Sequence, residues 1–133
     1  MAVGTILSSD RRFLVTTPRK NKTVLFQIWE TDTGRIVASI PRAKTQSALI
    51  SIKWSPNSEM IATSEGLKKE VKVWNIKGEH VQNLSNSTMP MQFSDDGKYL
   101  ATGGVLVNSK VDTGYLWEFS NNPIEERLGM VGE

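Results

Sequence analysis

The chain has 133 residues, 38% of them hydrophobic and 23% charged, with a formal net charge of +2. This composition is that of an ordinary folded domain and excludes a disordered chain. The sequence has no run of about 18 apolar residues, and residues 1–25 lack a secretory signal, so we predict no membrane span and a cytoplasmic or nuclear location. The absence of cysteine excludes disulfides, cysteine-based zinc sites and a thiol nucleophile.

Three similar stretches recur along the chain, and each is followed by a tryptophan. They read LSSDRRFLVTT at residues 7–17, WSPNSEMIATS at 54–64 and FSDDGKYLATG at 93–103. The tryptophans are Trp29, Trp74 and Trp117, at spacings of 45 and 43 residues. A period in the forties built from short β-patterned segments is typical of β-propeller blades.

Each repeat predicts four β-strands in the same order. Apolar residues alternate onto one face of the first strand; they are Val3 with Leu7, Ile50 with Ile52 and Trp54, and Met89 with Met91 and Phe93. A turn of Pro, Asn, Asp, Ser or Gly leads to the second strand, and the third strand carries the tryptophan. The fourth strand has an apolar residue seven positions after each tryptophan, at Ile36, Val81 and Ile124.

We therefore predict an all-β chain of three four-stranded antiparallel blades. The blades occupy approximately residues 1–41, 42–86 and 87–133. Propellers typically close with about 4–8 blades, so three blades do not close a ring alone. Three sources of the missing blades stay open: the remainder of a longer polypeptide, a different subunit, or a second copy that completes a six-bladed ring.

The repeats resemble those of the WD40 family of β-propellers over essentially the whole chain. The resemblance rests on the aromatic-Ser-x-x-x-x-apolar-apolar-Ala/Val-Thr runs, above all FSDDGKYLATGG at 93–104, and on the strands VKVWN and YLWEF. Glu or Asn follows each tryptophan, so the Trp-Asp pair of the family name is absent. The family's Asp-His-Ser/Thr-Trp hydrogen-bond network keeps only its last two members, the tryptophans and Thr16, Thr63 and Thr102.

Residues suited to catalysis are few. His80 is the single histidine, so neither a histidine metal cluster nor a Ser-His-Asp arrangement can form within the chain. Asp95 and Asp96 are adjacent and precede Gly97, which favours a tight turn over an acid–base pair. Gly103-Gly104 lacks the helix, lysine and hydroxyl of a phosphate loop. We therefore predict no catalytic, metal or cofactor site, and no enzyme.

Charge is distributed unevenly between the two edges of the predicted blades. The loops between strands two and three and between blades are expected on one edge, and their cations are Arg19, Lys20, Lys22, Arg42, Lys44, Lys68, Lys69 and Lys110. Three acidic residues, Glu65, Glu70 and Asp112, were assigned to the same loops. This basic edge is a candidate surface for an acidic protein or for RNA, and the alternative is a set of solvated loop lysines.

The resemblance implies a non-catalytic scaffold that mediates protein–protein interaction within a multi-subunit assembly. Two alternatives remain at this point. One is a propeller module that binds RNA or another acidic surface through the basic edge. The other is the accessory propeller of a hydrolase whose catalytic domain lies outside this chain.

Overall fold

A computed structural model describes most of the chain, and every regular element in it is a β-strand. The described residues are 4–18, 23–42, 49–65, 70–85, 87–104, 106–107, 110–111, 115–119 and 125–130. Across these ranges no helix is long and apolar enough to cross a membrane. The predicted all-β class is confirmed.

The first sheet is an antiparallel meander of four strands. Its strands are β1 (Thr5–Leu7), β2 (Phe13–Thr16), β3 (Val24–Glu30) and β4 (Ile36–Pro41). They pair in chain order, each strand antiparallel to the next. Because successive connections of a meander alternate between the two ends of its strands, the β1–β2 and β3–β4 turns share one edge of the sheet.

The second sheet repeats this arrangement. Its strands are β5 (Leu49–Trp54), β6 (Met60–Glu65), β7 (Glu70–Asn75) and β8 (His80–Ser85), again paired in chain order. In both sheets the pairing of the third strand with the fourth shifts register next to the tryptophan. The two sheets therefore share this irregularity as well as their strand order.

The third sheet has the same order with one addition. Its strands are β9 (Ser87–Phe93), β10 (Tyr99–Gly104), β13 (Tyr115–Phe119) and β14 (Glu125–Met130). Between its second and third strands lies a two-stranded ribbon, β11 (Leu106–Val107) with β12 (Lys110–Val111). Lys110, predicted to lie in the loop between these two strands, is therefore part of a strand.

Two apolar cores lie between the sheets. The first joins sheet one to sheet two; its fully buried side chains include Phe26, Ile28 and Ile61. The second joins sheet two to sheet three and includes Val73 and Leu100. Each sheet-to-sheet contact therefore has its own core, and the middle sheet contributes one face to each.

The tryptophans of the three third strands make the same hydrogen bond. The indole Nε1–H donates to a threonine Oγ1 on the neighbouring second strand: Trp29 to Thr16 at 2.8 Å, Trp74 to Thr63 at 3.0 Å and Trp117 to Thr102 at 3.1 Å. The bond gives the buried indole nitrogen a partner. The Ser/Thr-Trp part of the network expected from the family resemblance is therefore present in every sheet.

Trp74 lies in the core between the first two sheets. Trp74 is 7% exposed, and Phe26 of the first sheet meets its ring edge-on at a centroid distance of 5.2 Å. The indole is thus enclosed by its own sheet and by the preceding one.

Candidate functional site

Three tight turns, one between the first two strands of each sheet, share one hydrogen-bond pattern. In the first, the Ser8 hydroxyl donates to Asp10 Oδ1 at 2.8 Å, and the same oxygen accepts the Arg12 amide at 3.0 Å. The Ser8 hydroxyl also accepts the Phe13 amide at 3.0 Å. The serine and the acidic side chain therefore fix the turn through its own backbone.

The other two turns are built in the same way. Ser55 donates to Asn57 at 2.6 Å and Ser94 donates to Asp96 at 2.6 Å. The residue after each of these positions has a positive φ, 61° at Ser58 and 73° at Gly97. The sequence interpretation of Asp95-Asp96 as part of a turn is confirmed.

Neighbouring turns touch each other. The Asp10 amide of the first turn donates to the Ser58 hydroxyl of the second at 3.2 Å. A Cβ added to Gly97 of the third turn would lie 3.1 Å from Asn57 Nδ2 of the second. The three turns thus form one continuous surface, here named the turn edge, and the opposite ends of the strands form the loop edge.

Carboxylates of the turn edge are stabilised in their charged form. The Arg12 backbone amide is the main reason that the pKa of Asp10 is lowered to about 2, and the hydroxyls of Ser8 and Ser58 and the Arg12 guanidinium act in the same direction. The Ser94 hydroxyl and the Lys98 amide lower the pKa of Asp96. These carboxylates bind backbone and hydroxyl groups of their own turns, so their geometry is structural.

The basic residues predicted at the loop edge are mostly beyond what the structure describes. Arg42 is half-buried after β4, where its backbone amide donates to the Thr23 carbonyl at 2.8 Å. Lys110 lies in β12. Outside the described residues are Arg19, Lys20, Lys22, Lys44, Lys68 and Lys69. The predicted grouping of these cations therefore stays a prediction.

Glu65 was assigned to a loop, and this was wrong. It is the last residue of β6 and is 4% exposed, with Lys72 Nζ 3.8 Å from its Oε1. Glu70 likewise lies in a strand, as the first residue of β7. Glu65 is therefore not one of the exposed acidic residues predicted at the loop edge.

An apolar row crosses one face of the first sheet. Leu7 pairs with Leu14, Leu14 with Trp29 and Trp29 with Ile36, so the four side chains lie on the same face. Leu7 is 47% and Ile36 48% exposed, while Leu14 and Trp29 are half-buried. We call Leu7, Leu14, Trp29 and Ile36 the apolar row.

The corresponding positions of the second sheet are covered. Trp54, Ile61 and Trp74 pair across β5, β6 and β7 as the apolar row does across the first sheet. Phe13 stacks on Trp54 at 6.2 Å between ring centroids, and the Trp54 indole donates to the Ile6 carbonyl at 3.3 Å. The tryptophan-bearing face of sheet two is thus packed against sheet one.

The third sheet follows the same rule. Phe93, Leu100 and Trp117 occupy the row positions, and their exposed fractions are 7%, 0% and 8%. They pack in the core shared with sheet two. Sequence reasoning did not single out the apolar row, although aligning the three repeats places Leu7, Leu14 and Trp29 in register with these buried residues.

Groups suited to metal binding or acid–base chemistry do not converge in the described part of the chain. No cluster of three or more His, Asp or Glu side chains that could hold a metal ion occurs there. His80 is exposed, as expected, and its ring packs against Trp74 at 5.1 Å between centroids. Three surfaces of the molecule are candidates for recognition: the loop edge, the turn edge and the apolar row.

Comparison with known proteins supports the fold. Residues 34–75 match the family model of the WD domain, G-beta repeat. The chain contains a WD40-like repeat within a propeller-like fold. The matched segment runs from the fourth strand of the first sheet through the third strand of the second, which is one repeat length.

Solved β-propellers share the arrangement of the three sheets. The Cps50 (Swd1) β-propeller domain of Myceliophteria thermophila superposes with a TM-score of 0.67 at 12% identity over 98% of this chain and 43% of its own. A candidate 6-phosphogluconolactonase of Bacteroides uniformis gives 0.67 at 15% identity over 93% of this chain and 38% of its own. A second one, from Bacteroides fragilis, gives 0.65 at 15% identity, covering 93% and 36%.

The WD40-like chain spans about two fifths of the solved structures that it matches. Identities of 12–15% establish a common fold and nothing about a common activity. No curated protein matches the sequence.

Proposed function

We propose that this WD40-like chain is a non-catalytic scaffold that binds an acidic protein segment through its loop edge within a larger assembly. The observation that carries the proposal is the burial of Glu65 beside Lys72, because it removes an acidic residue from the surface of an edge to which the sequence assigns eight lysines and arginines. Loops on a rigid β scaffold are common sites of recognition.

The sheet geometry supports a loop edge that presents its residues together. Contacts between neighbouring turns, such as Asp10 with Ser58, align the three sheets at the turn edge. The opposite strand ends are then aligned as well, and β2, β6 and β10 all end there. Cations held on one side raise the local concentration of an acidic ligand and accelerate its association.

The first prediction tests this surface with a charge reversal. Lys68→Glu combined with Lys69→Glu should weaken binding of a poly-glutamate peptide by roughly tenfold, because each reversal replaces attraction by repulsion. Fluorescence anisotropy at low and high salt measures the affinity. The difference between wild type and variant should shrink at high salt, where exposed charges are screened.

A matched control lies on the turn edge. Lys77→Glu combined with Lys98→Glu makes the same change of charge at two exposed turn positions. It should leave the affinity near that of wild type. Equal weakening by both double variants would show that net charge, rather than the loop edge, determines binding and would reject the proposal.

Two further probes separate the other functions. Binding of poly(U) RNA that exceeds peptide binding and is lost in Lys68→Glu/Lys69→Glu would favour the RNA-binding alternative. Hydrolysis of 6-phosphogluconolactone by the purified chain would contradict the non-catalytic assignment; the reason for including this substrate is the fold shared with the two Bacteroides proteins.

A further inference from the structure

The apolar row has the composition and position of a surface that another sheet covers. Its counterparts in the second and third sheets are covered by the preceding sheet, whereas Leu7 and Ile36 are about half exposed. Apolar area removed from water stabilises by about 25 cal/mol per Å². The faces that cover the corresponding residues of the second and third sheets therefore indicate what kind of surface fits the apolar row.

The covering faces share a pattern. Sheet one covers sheet two with Phe13, Val15 and Ile28, which lie on β2 and β3 opposite the tryptophan-bearing face. In sheet two the same repeat positions are Met60, Ala62 and Val73, and they pack toward sheet three. A covering face thus has two apolar residues on the second strand of its sheet, a large one followed by a smaller one. It has a β-branched or other aliphatic residue on the third strand.

The third sheet carries this pattern on its far face. The equivalent positions are Tyr99, Ala101 and Leu116, and Ala101 pairs directly with Leu116. All three are partly exposed, on the face of sheet three opposite the core residues Leu100 and Trp117. The Tyr99 hydroxyl donates to Glu118 Oε2 at 3.3 Å, which holds the ring against its own strand pair.

We infer that the far face of the third sheet binds the apolar row of a second copy. Both halves of a sheet-to-sheet contact are present in one chain, one on the first sheet and one on the third, and faces of these two kinds already meet twice inside it. Two copies joined head to tail make this contact twice and close with two-fold symmetry. The result is a ring of six blades, within the range of about 4–8 blades that propellers use.

Mass measurement on the purified chain is the first test. Size-exclusion chromatography with light scattering at micromolar concentration should give twice the mass of the chain. Leu7→Glu and Ile36→Glu on the row, and Leu116→Glu on the far face, should each weaken dimerisation by roughly tenfold or more, because each buries a carboxylate in an apolar contact. Asn83→Glu is the control, at an exposed position of β8, and should stay dimeric.

Mixing variants tests the head-to-tail geometry. Ile36→Glu keeps an intact far face and Leu116→Glu keeps an intact row, so their mixture can form one undamaged contact and should recover dimers that neither forms alone. Should Leu116→Glu fail to fold in circular dichroism, Tyr99→Arg replaces it, since the guanidinium can pair with Glu118.

Several results would overturn the inference. One is a folded wild-type monomer. Another is a dimer that Leu116→Glu and Tyr99→Arg do not affect, because this indicates a row-to-row contact. Aggregates or open chains of copies, instead of a defined dimer, would show that the rotation between copies does not produce a closed ring. If a different polypeptide completes the ring, the wild-type chain alone would be monomeric.

Discussion

Gly34 and Gly78 occupy the same turn of successive sheets, and both have a positive φ, 70° and 82°. Their surroundings differ. A Cβ on Gly34 meets nothing within 4 Å, whereas one on Gly78 would lie 2.6 Å from Ala38 Cβ and 2.8 Å from Ile40 Cδ1 of the first sheet. Gly78 therefore lets the second sheet approach the first, while Gly34 satisfies only the turn.

The two glycines give a matched pair of substitutions. Gly34→Ala should destabilise the fold by about 1–2 kcal/mol, the usual cost of a left-handed backbone for an L-residue. Gly78→Ala should cost about 1–3 kcal/mol more, because the methyl group must displace the side chains of Ala38 and Ile40. Urea unfolding of both variants measures the difference, and equal losses would show that the sheets can move apart freely.

The ionisation of Asp10 in the first turn makes the stability of the fold depend on pH. Its pKa is lowered to about 2 in the folded chain and lies near 3.9 in unfolded peptides. The folded state therefore binds this proton less readily, so the carboxylate contributes stability above the unfolded value that is lost as the pH falls toward 2.

Asp10→Asn should remove part of this acid sensitivity. Asn57 occupies the same position in the second turn and accepts the same hydrogen bonds, so asparagine preserves the turn. Thermal midpoints between pH 7 and the acid limit of folding should fall less steeply in the variant than in wild type. Asp32→Asn, at an exposed position of the turn between β3 and β4, serves as the comparison. Parallel pH profiles for wild type and Asp10→Asn would contradict the expectation.

At the scale of the sheet, equivalent tryptophans are expected to contribute unequally to the stability of the fold. Trp74 is enclosed between two sheets, while Trp29 lies in the apolar row and is half-buried. Trp74→Ala should cost about 3–5 kcal/mol, as for other large buried aromatic residues. Trp29→Ala should cost less, since it removes less buried area.

Both tryptophan substitutions are best measured in the Ile36→Glu background. That background keeps the apolar row uncovered, so the difference between the two variants reports packing within one chain. Chemical unfolding gives the free energies, and a Trp29→Ala loss as large as that of Trp74→Ala would mean that the row is already covered.

The strands were predictable because they recur. Alternating apolar residues and turn residues mark each strand in three independent copies, so an ambiguous segment such as residues 5–7 could be assigned from Ile52 and Trp54 in the next repeat. Within the described ranges the β11–β12 ribbon occurs in one repeat alone, so no second copy supported it. Glu65 was predicted in the loop between the second and third strands, whereas its packing at the end of β6 depends on Lys72 of the next strand.

At the scale of the whole molecule, the predicted strand order was enough to assign loops to one edge of the sheets. It did not predict where the side chains of those loops lie. Six of the eight predicted basic residues lie outside the described ranges, so the candidate site rests on the strands that lead to it. The apolar row could not be predicted from hydrophobicity, because its residues have the same character as their buried counterparts. Only the exposure of Leu7 and Ile36 distinguishes it.

The contact between successive sheets has a direction, since one face always covers and the other is always covered. A stack built on such a contact accepts another unit at either end without any change to the units already present. A gene encoding it can therefore lengthen by duplicating one segment of roughly 43 residues. Each added segment would bring one face that packs against the preceding sheet and one face that covers the next sheet.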